Sequence, residues 1–308
     1  MPSLNEIRER VQSDRGGAQD RIRREYFSEL AKHTGNDTII YASAFDTLKA
    51  SPNSGIGPEV FSIVLNDMQG FMSALHGLKG TKLDLILHSP GGSLEAAEQI
   101  VNYLRSKYDY IRAIVPQNAM SAATMIACAC NEIVMGKHSA IGPIDPQITY
   151  RGFTAPAQAI LDEFNQIKQE VQANPNLGVL WVQRVLSYPH GFLEQCRITI
   201  ELAKEKVADW LELYMFQGQP NARQAAQNIA KWLGTATNHK THGRPINIRT
   251  AQQQGLKVMP LETDQSLQEK VLSLFHATKV TFDTSHCAKL IENHEGQGSF
   301  VNVQVERR

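Results

Sequence analysis

Between Leu83 and Gly136 the chain swings repeatedly between short apolar runs and stretches that can only be helices. "LDLILHS", "IRAIVPQ" and "EIVMG" are continuous apolar segments of strand length. Between them stand "SLEAAEQIVNYLRSK", amphipathic at helical spacing, and "SAATMIACA", built almost wholly of small residues. Strands joined through helices run parallel, because the crossover returns the chain to the edge it started from. Strands that are apolar along their whole length are covered on both faces. The pattern therefore predicts an α/β fold around a stacked β-α-β core.

The flanking regions fit around that core. Residues up to about Ala31 read as a helix whose exposed face carries Arg and Glu, and "DTIIYAS" (Asp37 to Ser43) reads as the first strand. Residues 58–78 have apolar positions at helical spacing. From about Thr154 the pattern turns helical, in "APAQAILDEFNQIKQEVQ", "LEQCRITIELAKEKVADWLELYMF" and "NARQAAQNIAKWLG", with Pro175, Pro189 and Pro220 as punctuation. "RPINIRTAQQQGLKVMPL" gives a short helix, a stop at Gly255 and a β-like segment. A helix near Ser266–His276 and a polar tail follow. The expected division is an N-terminal helical segment (1–36), the core (37–153), a helical arm returning to the core (154–262), and a C-terminal helix and tail (263–308).

Bulk properties exclude several classes. Lys and Arg balance Asp and Glu at 31 each, so no overall charge draws the chain to nucleic acid or an acidic membrane. No run approaches the length of a membrane span, and the charged N-terminus lacks a secretory core. Cys128, Cys130, Cys196 and Cys287 lack metal-site or CxxC spacing, which predicts a reduced, cytoplasmic protein with no metal or cofactor.

Parallel sheets place their working loops beyond the carboxyl ends of the strands. There the chain places "SPGG": Pro90 stops the strand, while Gly91 and Gly92 permit positive φ and close approach of backbone to a ligand. Ser121 opens the second helix, beside Ala119, Ala122 and Ala123. A serine next to free N–H groups at a helix start is the arrangement acyl transfer needs, since those donors stabilise the oxyanion of the tetrahedral intermediate. The same features taken singly describe an ordinary loop and an N-cap. A phosphate cradle has neither G-x-G-x-x-G nor G-K-[ST] to support it.

"SPGG", "AMSAATMIACACNEIVM" and "SAIGPIDPQ" in this order resemble the ClpP/crotonase superfold, above all the serine peptidases of the Clp proteolytic subunit and signal peptide peptidase SppA. Together with "TIIYAS", "LEQCRITIELAKEKVADWL", "THGRPINIRTAQQQGLKV" and "AKLIENHEG", they look most like the serine dehydrogenase proteinase family, the SDH_sah group, over most of residues 20–296. The resemblance implies an ATP-independent serine peptidase acting on peptides or unfolded protein, assembled as a homo-oligomer. It makes Ser121 the nucleophile, with an oxyanion hole from Gly92, Gly91 and the N–H of Ala122.

The base is the open position. Where Clp-type enzymes place a His about twenty-five residues after the Ser, this chain has Ile144 or Asp145. SppA-type enzymes use a Lys forty to fifty residues on, and Lys168 is the lysine in that window. Lys168 is therefore the expected base, with Asp145 as base or orienter. Lys137, His138, His239 and His242 are further candidates; the two last, in "NHKTHGRPI", read by default as loop residues bonding backbone. Two other functions compete: a crotonase-like enzyme acting on a CoA thioester, and a scaffold of the same fold without a base.

Overall fold

A computed structural model describes residues 2–13 and 18–303 of the 308-residue chain. Its strands, in chain order, are β1 (Asp37–Ser43), β2 (Lys82–His88), β3 (Tyr110–Val115), β4 (Asn118–Ala119), β5 (Glu132–Met135), β6 (Ala140–Ile141), β7 (Gln147–Tyr150), β8 (Phe153–Pro156), β9 (Val258–Pro260), β10 (Cys287–Asn293) and β11 (Gly298–Asn302). Its helices are α1 (Leu4–Ser13), α2 (Ala18–Thr34), α3 (Asp67–Leu75), α4 (Leu94–Arg105), α5 (Ala122–Cys128), α6 (Ala157–Ala173), α7 (Gly178–Leu186), α8 (Phe192–Trp210), α9 (Ala222–Leu233), α10 (Ala236–His239), α11 (Ile248–Gln253) and α12 (Gln265–Thr284).

A seven-stranded sheet in the order β11-β10-β1-β2-β3-β5-β9 forms the centre. The run from β1 to β9 is parallel, and β10 and β11 add antiparallel at one side. Alternation along each strand assigns the two faces. Ile39, Tyr41, Leu83, Leu85, Leu87, Ala113, Val115, Ile133 and Met135 join a core with α3, α4, α5, α8 and α9. Ile40, Ala42, Ile86, Ile114 and Val134 face the other way, onto α2 and α12. The predicted α/β class with a parallel core is the architecture found.

Four expectations need correction. The N-terminal helix is two helices, and α2 is not simply a solvated face. Arg23 is fully buried, donating from Nε to Glu292 on β10 at 2.8 Å. Residues 58–66 are not helical: Pro58–Val60 make one tight turn, and Ile63 then runs extended beside Gly92 before α3 begins at Asp67. Before α6 the chain makes a β7–β8 hairpin. The polar tail is in large part structure, because α12 continues to Thr284 and β10 is buried along all seven residues. Threonine hydroxyls on α12 bond back to carbonyls one turn earlier, Thr278 to Leu274 and Thr281 to Ala277, so these polar residues sit in a buried helix at little cost.

The arm is a smaller unit. Ala157 and Ile160 of α6 pack on Cys196 and Ile200 of α8. On α7, no residue is buried.

Candidate active site

Above the carboxyl ends of the parallel strands runs a second, miniature ladder. Beyond β2, Ser89 pairs with Ala119 of β4; β4 pairs with β6; Ile141 of β6 pairs antiparallel with Ile246. The bonds are short and regular: Ser89 N–H to Asn118 O at 3.0 Å, Met120 N–H to Ser89 O at 3.0 Å, and Ile246 N–H to Ile141 O at 2.8 Å. Four loops distant in sequence are thereby aligned. They carry Gly91 and Gly92, Ser121, Asp145, and His242.

Ser121 sits at the N-cap of α5 with φ 51° and ψ −119°, a conformation a non-glycine residue adopts only under constraint. The constraint is visible. Thr124, fully buried, donates to Ala119 O at 2.7 Å and accepts from Gly142 N–H at 2.9 Å, locking the first turn of α5 to β4 and to the segment after β6. Gly91 packs directly on the serine: a Cβ there would lie 2.5 Å from Ser121 Cβ and 2.6 Å from Met120 O. At Gly92, φ is 154°, and a Cβ would meet Ile63 O at 2.3 Å. Both glycines are required by close approach.

The amides separate into two roles. Gly91 N–H donates to the buried Ser89 hydroxyl at 3.2 Å. The N–H groups of Gly92 and Ala122 have no acceptor among the described residues, and both residues line the same cleft as Ser121. That cleft, of about 380 Å³, also receives Met125, Ile144, Ala203 and His242.

Asp145 is buried and His242 is about a quarter exposed; His242 Nδ1 lies 2.9 Å from Asp145 Oδ1. The other carboxylate oxygen accepts from Gln147 Nε2 at 2.8 Å. An imidazole held at Nδ1 by a buried carboxylate keeps Nε2 available as a proton acceptor. The structure does not bring Lys168 to this place. It lies on the exposed side of α6 and does not line the cleft. Lys137 is exposed, and its amide donates to Glu262. His138 reaches Pro116 O at 2.9 Å and lines a separate cavity of about 590 Å³ against α12. His239 is buried, 2.8 Å from Trp232 O, with its ring edge-on to that indole. Of the lysine and histidine candidates, His242 alone meets the serine's cleft.

Comparison with known proteins gives a family match over part of the chain. Residues 57–182 match the family described as ClpP-like SDH-type serine proteinase. The fold is α/β around a largely parallel central sheet. Two proteins of Methanocaldococcus jannaschii, both named only as uncharacterized, are similar over longer stretches. MJ1495 is 30% identical over 192 residues, 62% of this chain and 55% of its own. MJ0137 is 28% identical over 219 residues, 70% of this chain and 66% of its own. The chain thus spans less than two thirds of either relative. Among solved structures, the 1510-N membrane-bound stomatin-specific protease, as a mutant with a substrate peptide, aligns with TM-score 0.38 and 19% identity over 64% of this chain and 70% of that one. A ClpP1 mutant from Listeria monocytogenes aligns with TM-score 0.36 and 11% identity over 68% and 96%. Among the described residues, no helix is long and apolar enough to cross a membrane.

Proposed function

We propose that the protein is a serine peptidase in which Ser121 is the nucleophile, His242 the base and Asp145 its orienter. The observation that carries this reading is the contact of His242 Nδ1 with the buried Asp145 carboxylate, His242 lining the same cleft as Ser121. His242 takes the role that the resemblance to SppA-type enzymes gave to Lys168.

In the first half-reaction His242 Nε2 accepts the Ser121 hydroxyl proton as Oγ attacks the scissile carbonyl carbon. The carbonyl oxygen becomes an oxyanion held by the N–H groups of Gly92 and Ala122. The imidazolium, stabilised by Asp145, gives its proton to the leaving amine as the C–N bond breaks. Water then repeats the sequence on the acyl-enzyme, with His242 again as base. The apolar floor of Met125, Ile144 and Ala203 suits peptide or unfolded-protein substrates with an apolar side chain at the cut. The reaction needs no ATP. A reduced, cytoplasmic setting fits four free, buried cysteines; burial pushes the Cys130 thiol up to about 12. A homo-oligomer is supported by α7, where Val179, Leu180 and Leu186 are each more than 70% exposed in the single chain.

A fluorophosphonate probe and a fluorogenic peptide test the assignment. Labelling is expected in the native protein and lost in Ser121→Ala. His242→Ala is expected to lower kcat about 10²–10⁴-fold, while Lys168→Ala leaves it unchanged. A native protein that takes no label sinks the peptidase reading and favours the scaffold; a Lys168→Ala variant that loses activity while His242→Ala keeps it reverses the choice of base.

A further inference from the structure

Next to the segment that pairs with the SPGG loop lies an ion pair that the proposed chemistry leaves unused. Lys289 of β10 and Asp67 of α3 are both almost fully buried, with Nζ 2.7 Å from Oδ1. The second oxygen of Asp67 accepts from the Tyr41 hydroxyl at 2.8 Å and from Val64 N–H at 3.0 Å. A buried pair of this kind contributes little net stability over an apolar core of the same shape. Its remaining bond shows another use. Lys289 Nζ donates to the carbonyl of Ser62 at 2.8 Å.

From that carbonyl a continuous path leads to the oxyanion hole. The Ser62 C=O and the Ile63 N–H belong to one rigid, trans peptide plane and point in opposite directions. Ile63 N–H donates to Gly91 O at 2.7 Å. The Gly91 C=O and the Gly92 N–H share the next plane, so the bond that holds one aims the other away from Ile63. Ser93 N–H closes the register by donating to Ile63 O at 2.9 Å. The ammonium group thus stands at one end of a two-peptide chain whose other end is the free N–H of Gly92. Hydrogen bonds in series polarise one another, and a cation on the first carbonyl strengthens every donor downstream.

We propose that Lys289, held by Asp67 and Tyr41, is a positioning residue for the oxyanion hole: it aims and polarises the Gly92 amide through the Ser62–Ile63 and Gly91–Gly92 peptides. The inference rests on the peptidase reading of the same cleft, and it assigns a function to a cation that never touches substrate.

The test compares the native protein with Lys289→Met/Asp67→Asn, which removes both charges and keeps the volume of the pair. Three quantities are measured: the rate at which a fluorophosphonate labels Ser121, kcat and KM for a fluorogenic peptide, and the affinity for a peptide boronic acid, which mimics the tetrahedral state. Rates are expressed per folded molecule. The labelling rate, kcat and boronate affinity are expected to fall together, by about 10–100-fold, since a misaimed donor costs less than a deleted one. KM is expected to stay within about twofold. A purely structural pair would lower the unfolding midpoint and leave these per-molecule values alone. Lys289→Gln/Asp67→Asn, which keeps an N–H donor in the core, replaces the first variant if that one does not fold, and a smaller loss along the same three readouts is expected. Native labelling with unchanged variant rates, or a change confined to KM, overturns this inference alone. Absence of labelling in the native protein overturns the peptidase reading and this inference with it.

Discussion

His88 is the last residue of β2, directly before the SPGG loop, and its ring is fully buried between Phe45 and Phe275 with centroids 4.8 and 4.9 Å away. Its Nε2 lies 3.4 Å from Asp46 Oδ1, and Lys279 also pairs with Asp46. Burial lowers the His88 pKa, and the attraction of Asp46 does not restore it. A histidine with a depressed folded pKa binds its proton more readily in the unfolded chain, so acid favours unfolding. The contribution is present above the ordinary histidine value of about 6.5 and is lost progressively below it. Asp46 is also opposed by burial, but His88 and Lys279 outweigh this and hold it well below the carboxylate range; its contribution fades only below about pH 4. Unfolding midpoints are therefore expected to drop between pH 7 and pH 5, and His88→Phe to flatten that slope in a urea titration. Part of the slope should survive, because burial also lowers His276. An unaltered slope in His88→Phe would show that the ring is not the titrating group.

At the scale of elements, α2 is fastened to β10 by charge as well as by packing. Glu292 is fully buried and accepts from Arg23 Nε and, on its other oxygen, from Arg24 Nε at 2.7 Å. Removing Arg23 leaves a buried carboxylate with one half-exposed partner, so Arg23→Met is expected to cost about 3–5 kcal/mol by urea denaturation. Arg23→Met/Glu292→Gln should recover much of it. The same strand shows where sequence reading stops. The apolar parallel strands and the helices between them announce themselves through local periodicity, as does the placement of Ser121 at a helix start beyond a strand. "CAKLIEN" has Lys289, Glu292 and Asn293 among its seven residues, and all are buried only because partners far away in the chain meet them. Asn293 donates to Ala74 O at 2.7 Å and accepts from two amides in the following turn. Apart from those two turn amides, none of the partners is visible locally. His242 is hidden for a similar reason: the pairing of Ile141 with Ile246 carries it to Asp145, and two isolated residues make no periodic pattern. Lys168 had suitable spacing, but the phase of α6 turns it outward, with Ile167 as the buried neighbour.

For the molecule as a whole, α7 gathers Val179, Leu180, Val182, Val185 and Leu186, all exposed, on one short helix. Leu180 and Leu186 are 73% and 74% exposed, on a helix with no buried residue of its own. In the proposed homo-oligomer this side is covered by a second copy. Leu180→Glu/Leu186→Glu is expected to shift sedimentation to a smaller species while each chain stays folded by circular dichroism; unchanged sedimentation would rule α7 out of the contact. The miniature ladder above the sheet has a consequence in time. Its rungs are laid down from Ser89 to Ile246, Ser121 well before His242, and the last rung forms only once Ile246 has left the ribosome. On the proposed assignment, a nascent chain would carry the Ser121 hydroxyl before His242 could take its proton, so acyl transfer would wait for the last rung.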